Sequence, residues 1–408
     1  MSILSVINGL SSNYPDAISL ALGRPNPDVY NRLELNRYRE LFRARLMEQY
    51  SFDHEQVIEY LLSYGPSEGL IQHQLSQLLA NDENIEASAD SILVTNGCQE
   101  GFNLVLLHEL TSENDCVLII EPGYFSFSNL VDILGKRGVS VPLDTLQDAD
   151  GGFDFSKLES YVQDLNDSGF NPKLIYINPS FNNPMSYCLS ESARLDLLEV
   201  CARTGLKIIE DSTYASFSFS QTAPASIKSL DSQGLVYYVG SFSKTLCPGL
   251  RIGYLVLDDD KAGKDGELIH LKSHTTLNTS ALTQELVGGF LIEHDHSLQP
   301  WLSDIKQEYR LRRDAMLAVL AEELSGSQAH WEIPEGGFFL MIHLPFEFDL
   351  EKLEECVKEY EVACMPVKYP SLAASGEKNG IRLAYSYYSP EQIAEGTRRL
   401  CKFLKKYL

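Results

Sequence analysis

Gly240-Ser241-Phe242-Ser243-Lys244-Thr245-Leu246-Cys247-Pro248-Gly249-Leu250-Arg251-Ile252-Gly253-Tyr254 is the most informative stretch of the chain. An apolar run, Leu235–Val239, leads into it, and a second, Ile252–Leu257, leads out; both read as buried strands. Between them a lysine stands among hydroxyls, with an arginine seven residues further on. Hydroxyls and a guanidinium can hold a phosphate while the neighbouring amine reacts with an aldehyde.

Working outward, further strand candidates are Ser91–Thr95, Cys116–Ile120, Leu174–Asn178 and Lys207–Glu210. Helical periodicity lies between them, at Gln99–Glu109 and at Ser190–Thr204, the latter opening on capping chemistry at Ser190. Alternating strands and helices predict an α/β unit with a mostly parallel sheet covered by helices. In such sheets ligands gather at the carboxyl ends of strands. After about residue 296 the texture changes. Ser297–Glu323 reads as a long amphipathic helix, followed by strands at Gly337–Leu344 and Ile381–Ser386 and helices at Leu350–Tyr360 and Pro390–Tyr407. This predicts a smaller α+β unit, with which the first forty-odd residues are expected to pack. Leu143–Phe153 and Ser371–Asn379 read as surface turns.

Composition narrows the function. The chain has 408 residues, long enough for two domains, with 57 acidic against 33 basic side chains and a formal charge of −24. Such a surface repels nucleic-acid backbones and anionic membranes, so neither is an expected partner. Any anionic ligand needs a local cluster of donors. No basic region precedes the first apolar stretch and no apolar window of about 18 residues exists, so neither a signal peptide nor a membrane span is expected. The eight cysteines have no metal-ligand spacing, which fits reduced thiols in a cytoplasmic protein, most of them serving as small core residues, and no bound metal.

The stretch at 240–254 resembles, almost position for position, the S-x-S-K-x-x-x-P-G-x-R-x-G signature of class I/II aminotransferases, the aspartate aminotransferase superfamily of fold type I. Other segments carry the same resemblance. Ile208-Ile209-Glu210-Asp211-Ser212-Thr213-Tyr214 ends a strand on an aspartate with a tyrosine three residues on. Asn178-Pro179-Ser180-Phe181-Asn182-Asn183-Pro184 is similar to N-P-x-x-x-N-P, and Thr95-Asn96-Gly97-Cys98-Gln99 to the family's T-x-G-s-Q. Glu121-Pro122-Gly123-Tyr124, Tyr64-Gly65-Pro66-Ser67-Glu68-Gly69, Ile381-Arg382-Leu383 and Ile18–Pro25 match further elements. The stretch His294–Leu317 resembles the branch holding aminoadipate/kynurenine-type transaminases and MocR-like aminotransferase domains. No DNA-binding segment precedes it, so a regulator is not expected.

The resemblance implies pyridoxal 5'-phosphate as cofactor, bound by Lys244 as a Schiff base. It further implies a large domain at 45–295 with a seven-stranded sheet, and a small domain from 1–44 and 296–408. Lys244, Asp211 and Tyr214 become the catalytic set. Gly97, Cys98, Gln99, Ser241, Ser243 and Arg251 surround the phosphate, and Tyr124, preferred to Phe125, stacks on the ring. Asp211 pairs with the pyridine nitrogen; Asn183 and Tyr214 reach the phenolic oxygen. Gly23, Asn183 and Arg382 contact substrate, with Arg382 forked onto the α-carboxylate. Tyr64 reaches the phosphate of a neighbouring subunit, so a homodimer with sites at its interface is implied. The function implied is amino transfer between an L-amino acid and a 2-oxo acid.

The chain departs from the pattern at Met185-Ser186, where T-G or H-G is usual, at His73-Gln74, and in the segment Asn26–Phe42. These sit at the expected pocket rim or dimer contact. They keep open a second outcome on the same residues: a lyase, cyclase or oxidase of amino acids, working by β/γ-elimination, replacement or dioxygen chemistry. For a distal substrate carboxylate no second arginine is placed, and Lys272, His274 and Asn278 are the candidates.

Overall fold

A computed structural model describes residues 3–148, 152–220, 223–258, 266–370 and 377–408. The first strand, β1 (Ile18–Ser19), is short. The apolar runs then form β2 (Ile92–Thr95), β3 (Asp115–Glu121), β5 (Asn171–Ile177), β6 (Lys207–Asp211), β7 (Val236–Ser241) and β8 (Gly253–Val256), joined by β4 (Arg137–Pro142). Together β2 to β8 make one seven-stranded sheet in the order β2-β8-β7-β6-β5-β3-β4. Only β8 runs antiparallel to its neighbours. The sequence runs gave no sign of β4, because Arg137, Gly138 and Ser140 face solvent at the sheet edge and break the apolar pattern. The central strands are buried on both faces, as helix-covered parallel strands require. The predicted helices appear as Cys98–Glu109 and Glu191–Thr204; Ser190 caps the second, accepting from the Ala193 amide at 3.2 Å.

Four more strands, β9 (His330–Trp331), β10 (Phe339–Leu344), β12 (Met365–Pro370) and β13 (Glu377–Ala384), form an antiparallel sheet in the order β12-β13-β10-β9. β11 (Val362–Ala363) pairs instead with β1, which ties the amino-terminal segment to the carboxyl-terminal unit. Ile7, Leu10, Leu20 and Ala21 join Leu353, Val357, Ile381 and Leu400 in one apolar core. The helix Gln299–Leu324 serves two cores: Leu302, Ile305 and Tyr309 pack towards the large sheet, Met316, Leu320 and Leu324 into the carboxyl-terminal unit. The helix Leu35–Tyr50 runs unbroken through residue 44, and its buried Tyr38, Phe42 and Leu46 belong to the core of the large sheet.

Two expected turns differ. Leu143 and Leu146 are buried around a single short turn rather than exposed, although part of Leu143–Phe153 lies outside the described residues. Glu377, Lys378 and Asn379 are paired in β13 opposite Pro370, Tyr369 and Lys368 of β12, respectively; residues 371–376 lie outside the described residues. Alternating charge and small residues in 377–380 concealed that strand. All eight cysteines are free, and Cys116, Cys201, Cys356, Cys364 and Cys401 are buried as core residues. Among the described residues no helix is long and apolar enough to cross a membrane.

Candidate active site

The carboxyl ends of β2, β3, β5, β6 and β7 converge on a cavity of about 370 Å³, closed from the other side by β10, β13 and the segment after β1. Lys244 sits on the single-turn helix Phe242–Thr245 that connects β7 to its antiparallel neighbour β8. The connection is pinned at its base, where the Phe242 amide donates to Ile252 at 3.0 Å. Glycine is required beside it: a Cβ on Gly253 would lie 2.6 Å from the Gly97 carbonyl carbon and 2.9 Å from the Cys98 nitrogen. This close approach seats the loop after β2 against the lysine-bearing connection.

The Lys244 amine donates to the Gly23 carbonyl at 2.8 Å and lies 5.9 Å from the centre of the Tyr214 ring. Burial pushes it down to about 8, with Cys98 and Asp211 opposing and the Arg382 and Arg251 cations assisting. Asp211, at the end of β6, is buried and accepts from Tyr176 Oη at 2.6 Å and from Thr213 Oγ1 and N at 2.5 and 3.1 Å. Burial still raises its carboxyl above the ordinary range, against the pull of the Thr213 and Tyr176 donors. Asn178 holds the Asp211 carbonyl at 2.5 Å, so the strand end itself is fixed.

Arg382 on β13 is buried. It donates to Asn183 Oδ1 at 2.6 Å and to the Ala21 carbonyl at 2.5 Å, with its guanidinium carbon 4.2 Å from the centre of the Phe339 ring. Its Nε is buried without a partner, and burial pulls its ionisation down to about 10. A buried cation with an unspent donor is a costly feature unless a ligand anion completes it.

At the other end, Arg251 donates to Ser243 Oγ at 3.3 Å and to Asn96 O at 3.2 Å. Gly97, at φ +74°, precedes the helix Cys98–Glu109, whose first amides have no intrahelical acceptor. A Cβ on Gly97 would lie 2.5 Å from Arg251 Nη2. Ser241 accepts from the Ser243 amide at 3.2 Å. An arginine, two hydroxyls and a helix amino terminus make a phosphate cradle, and the lysine beside it suits an aldehyde, so these residues fit pyridoxal phosphate.

Of the residues singled out in the sequence, Gly23, Cys98, Gln99, Tyr124, Asn183, Asp211, Tyr214, Ser241, Ser243, Lys244, Arg251 and Arg382 line the cavity, and Gly97 abuts it through Arg251. Burial drives the Cys98 thiol up to about 12, so it is an inert wall residue. Tyr124 accepts from Gln99 Nε2 at 3.3 Å, and Phe125 lines the cavity beside it. Tyr64 is 88% exposed and is not part of the cavity wall in this chain. The candidates for a distal carboxylate do not line it either. Lys272 is fully buried in an ion pair with Glu100 at 3.1 Å, His274 is engaged with Ser273 and His270, and Asn278 donates to Thr279.

Thr213, Phe339, Arg24 and Tyr176 were missed. Thr213 sits inside the D-x-x-Y element and bonds Asp211 two residues before it, while Phe339 lies two positions along from Met341, which pairs opposite Arg382, and its contact depends on tertiary packing. At Met185-Ser186 the turn keeps a left-handed conformation despite the serine, at φ +66°, held by Ser186 Oγ donating to Phe339 O at 2.7 Å. A slightly larger cavity of about 380 Å³ opens beside Glu83, Arg194 and Glu210. Arg194 is spent on the Leu189, Pro179 and Ala225 carbonyls, and Glu210 on the Ile227 and Lys228 amides.

The family described as "Aminotransferase class I and II" matches residues 48–400. The (S)-3,5-dihydroxyphenylglycine transaminase of Amycolatopsis orientalis is 32% identical over 99% of this chain and 91% of its own length. The 2-aminoadipate transaminase of Thermus thermophilus is 30% identical over 97% and 91%. The crystal structure of Pyrococcus horikoshii kynurenine aminotransferase superimposes with a TM-score of 0.82 at 28% identity, covering 100% of this chain and 95% of that one. The chain belongs to the class I and II aminotransferases and is a pyridoxal-phosphate-dependent transferase of fold type I.

Proposed function

We propose that Lys244 is the covalent anchor and proton carrier of an amino transfer between an L-amino acid and a 2-oxo acid. One observation carries this reading: the depressed Lys244 amine lies in one cavity with the Arg251 cradle and the half-satisfied Arg382 guanidinium. Bound pyridoxal phosphate supplies an aldehyde for the amine and a conjugated ring that takes up the electron pair of the substrate Cα–H bond.

The residues divide the remaining work. Arg382 binds the substrate α-carboxylate through its unspent donors. Because Asn183 Oδ1 accepts from Arg382, its Nδ2 is left to donate to the phenolic oxygen, a task shared with Tyr214. Asp211, oriented by Tyr176 and Thr213, holds the pyridine nitrogen protonated. Tyr124 covers the ring face. Ser241, Ser243, Arg251 and the amides from Gly97 to Gln99 bind the phosphate. With an ionisation near 8, Lys244 removes the Cα proton and returns it at the far end of the reaction.

The same reading makes the enzyme a cytoplasmic homodimer with Tyr64 completing the partner's phosphate site. Supporting it, Ile58 and Leu62 on the helix His54–Leu62 and Tyr64 just beyond it are exposed large side chains. Light scattering should give twice the chain mass, and Tyr64→Phe should weaken cofactor retention.

The decisive test mixes the yellow holoenzyme with a panel of amino acids and no 2-oxo acid. One equivalent of 2-oxo acid per site, with loss of the yellow colour, is the expected result. Repeated turnovers releasing ammonia or a cyclised product would show elimination or cyclisation instead.

A further inference from the structure

Three arginines line the cavity: Arg24, Arg251 and Arg382. Elsewhere in this acidic chain arginines are commonly held by carboxylates, as Arg32 is by Glu308, Arg43 by Glu285 and Arg203 by Glu159. Among the described residues none of the three cavity arginines has a carboxylate within ion-pair distance. Two of them have an assigned anion, the phosphate for Arg251 and the α-carboxylate for Arg382. Arg24 has none, in a molecule whose overall charge of −24 disfavours anions wherever a local cation does not hold them.

The position of Arg24 is built rather than incidental. It directly follows Gly23, whose carbonyl receives the Lys244 amine at 2.8 Å. Pro25 comes next and restricts Arg24 to extended backbone. Its carbonyl accepts from Ser386 Oγ at 2.7 Å, and Asn26 Nδ2 donates to Tyr387 O at 2.5 Å, so the segment is stapled to the chain that leaves β13 just beyond Arg382. The guanidinium carbon lies 4.8 Å from the centre of the Tyr387 ring. Stacking of that kind occupies the flat face of the group and leaves its N–H edge free for a planar anion.

We propose that Arg24 is a specificity-determining residue that receives a second carboxylate, the distal acid group of a dicarboxylic amino acid or 2-oxo acid whose α-carboxylate is on Arg382. This rests on the reading of Arg382 given above. It places the side-chain anchor on the segment after β1, where the sequence carries an arginine between the pocket glycine and a proline. It supplies the cation that Lys272, His274 and Asn278, which do not line the cavity, leave missing.

The test measures binding rather than turnover. The yellow holoenzyme is titrated with glutarate and with pentanoate, acids of equal length bearing two and one carboxylates, following the cofactor absorbance. Glutarate should bind more tightly to the natural protein. Arg24→Gln should reduce that preference by about 10- to 100-fold, the range for a lost charge-assisted contact, and Arg24→Lys, which keeps charge but not the fork, should fall between. Arg24 is exposed, so both variants should keep the yellow band, which reports an intact cofactor site. An unchanged glutarate-to-pentanoate ratio in Arg24→Gln overturns the proposal. If the holoenzyme transfers no amino group from any donor, the functional reading fails, while the binding ratio still decides on Arg24.

Discussion

Arg382 Nη1 and Asn183 Oδ1 stand 2.6 Å apart, joining β13 to the loop that follows β5. The contact fixes which end of the Asn183 amide is acceptor and which is donor. It also orients the guanidinium, so in the proposed function the cofactor's phenolic oxygen and the substrate's carboxylate would be read by two side chains that position one another.

From this comes a first prediction, for Arg382→Lys. A lysine carries its charge on one compact ammonium and cannot serve Asn183, Ala21 and a carboxylate together in the geometry of the fork. The catalytic efficiency with amino-acid donors should fall on the order of 100-fold, while the cofactor absorbance persists. Steady-state kinetics beside a spectrum checks both. Loss of the band in this variant would mean that Arg382 holds the cofactor rather than the substrate.

Lys244→Ala should abolish the yellow band and amino transfer together. The natural apoprotein gives a finer readout. Because burial brings the Lys244 amine to about 8, its neutral, nucleophilic form becomes dominant as pH rises through that value. The rate of cofactor capture should therefore climb up to about pH 8 and level off above it. A rate still climbing to pH 10, as for an ordinary exposed lysine, would contradict the buried environment.

Much of the large sheet and most of the cavity wall were legible in the sequence, for a physical reason. Buried parallel strands have to be continuous apolar runs, and the side chains that do chemistry follow directly at their ends, as Asp211 follows Ile208-Ile209-Glu210. The edge strand β4 and the first residues of β13 were hidden because exposed strands carry no such run. Phe339 and Arg24 were hidden differently. Their relevance comes from meeting Arg382 and Tyr387 across long sequence separations, which no local pattern records. Thr213 meets Asp211 only two residues away, inside the D-x-x-Y element, where the pattern marks the aspartate and tyrosine but not the residues between them.

Gly97→Ala tests the phosphate cradle. A methyl group there meets Arg251 Nη2 at 2.5 Å and places a non-glycine residue at φ +74°. The arginine is the more mobile of the two, so it moves away from the phosphate position and the fold survives. Cofactor affinity, measured by equilibrium dialysis, should drop about 10-fold or more, with a change in apoprotein unfolding midpoint limited to the strain of about 1 kcal/mol expected for that backbone region.

Lys272→Met tests whether the buried pair beneath that cradle is structural. Lys272 is fully buried and donates to both Glu100 oxygens, at 3.1 and 3.2 Å, and to Thr276 and Thr279. Glu100 in turn accepts from the Asn96 amide at 2.6 Å, one residue before Gly97. Removing the ammonium leaves a buried carboxylate without its counter-charge, a loss of about 3–5 kcal/mol in comparable buried pairs. Urea unfolding of the apoprotein should show that loss, and cofactor affinity should weaken with it because the loop at Asn96 and Gly97 loses its support. Replacing both partners, Lys272→Met with Glu100→Gln, should recover much of the stability, since no charge is then left unpaired. A single variant as stable as the natural protein would show that neither the fold nor the cradle depends on the pair.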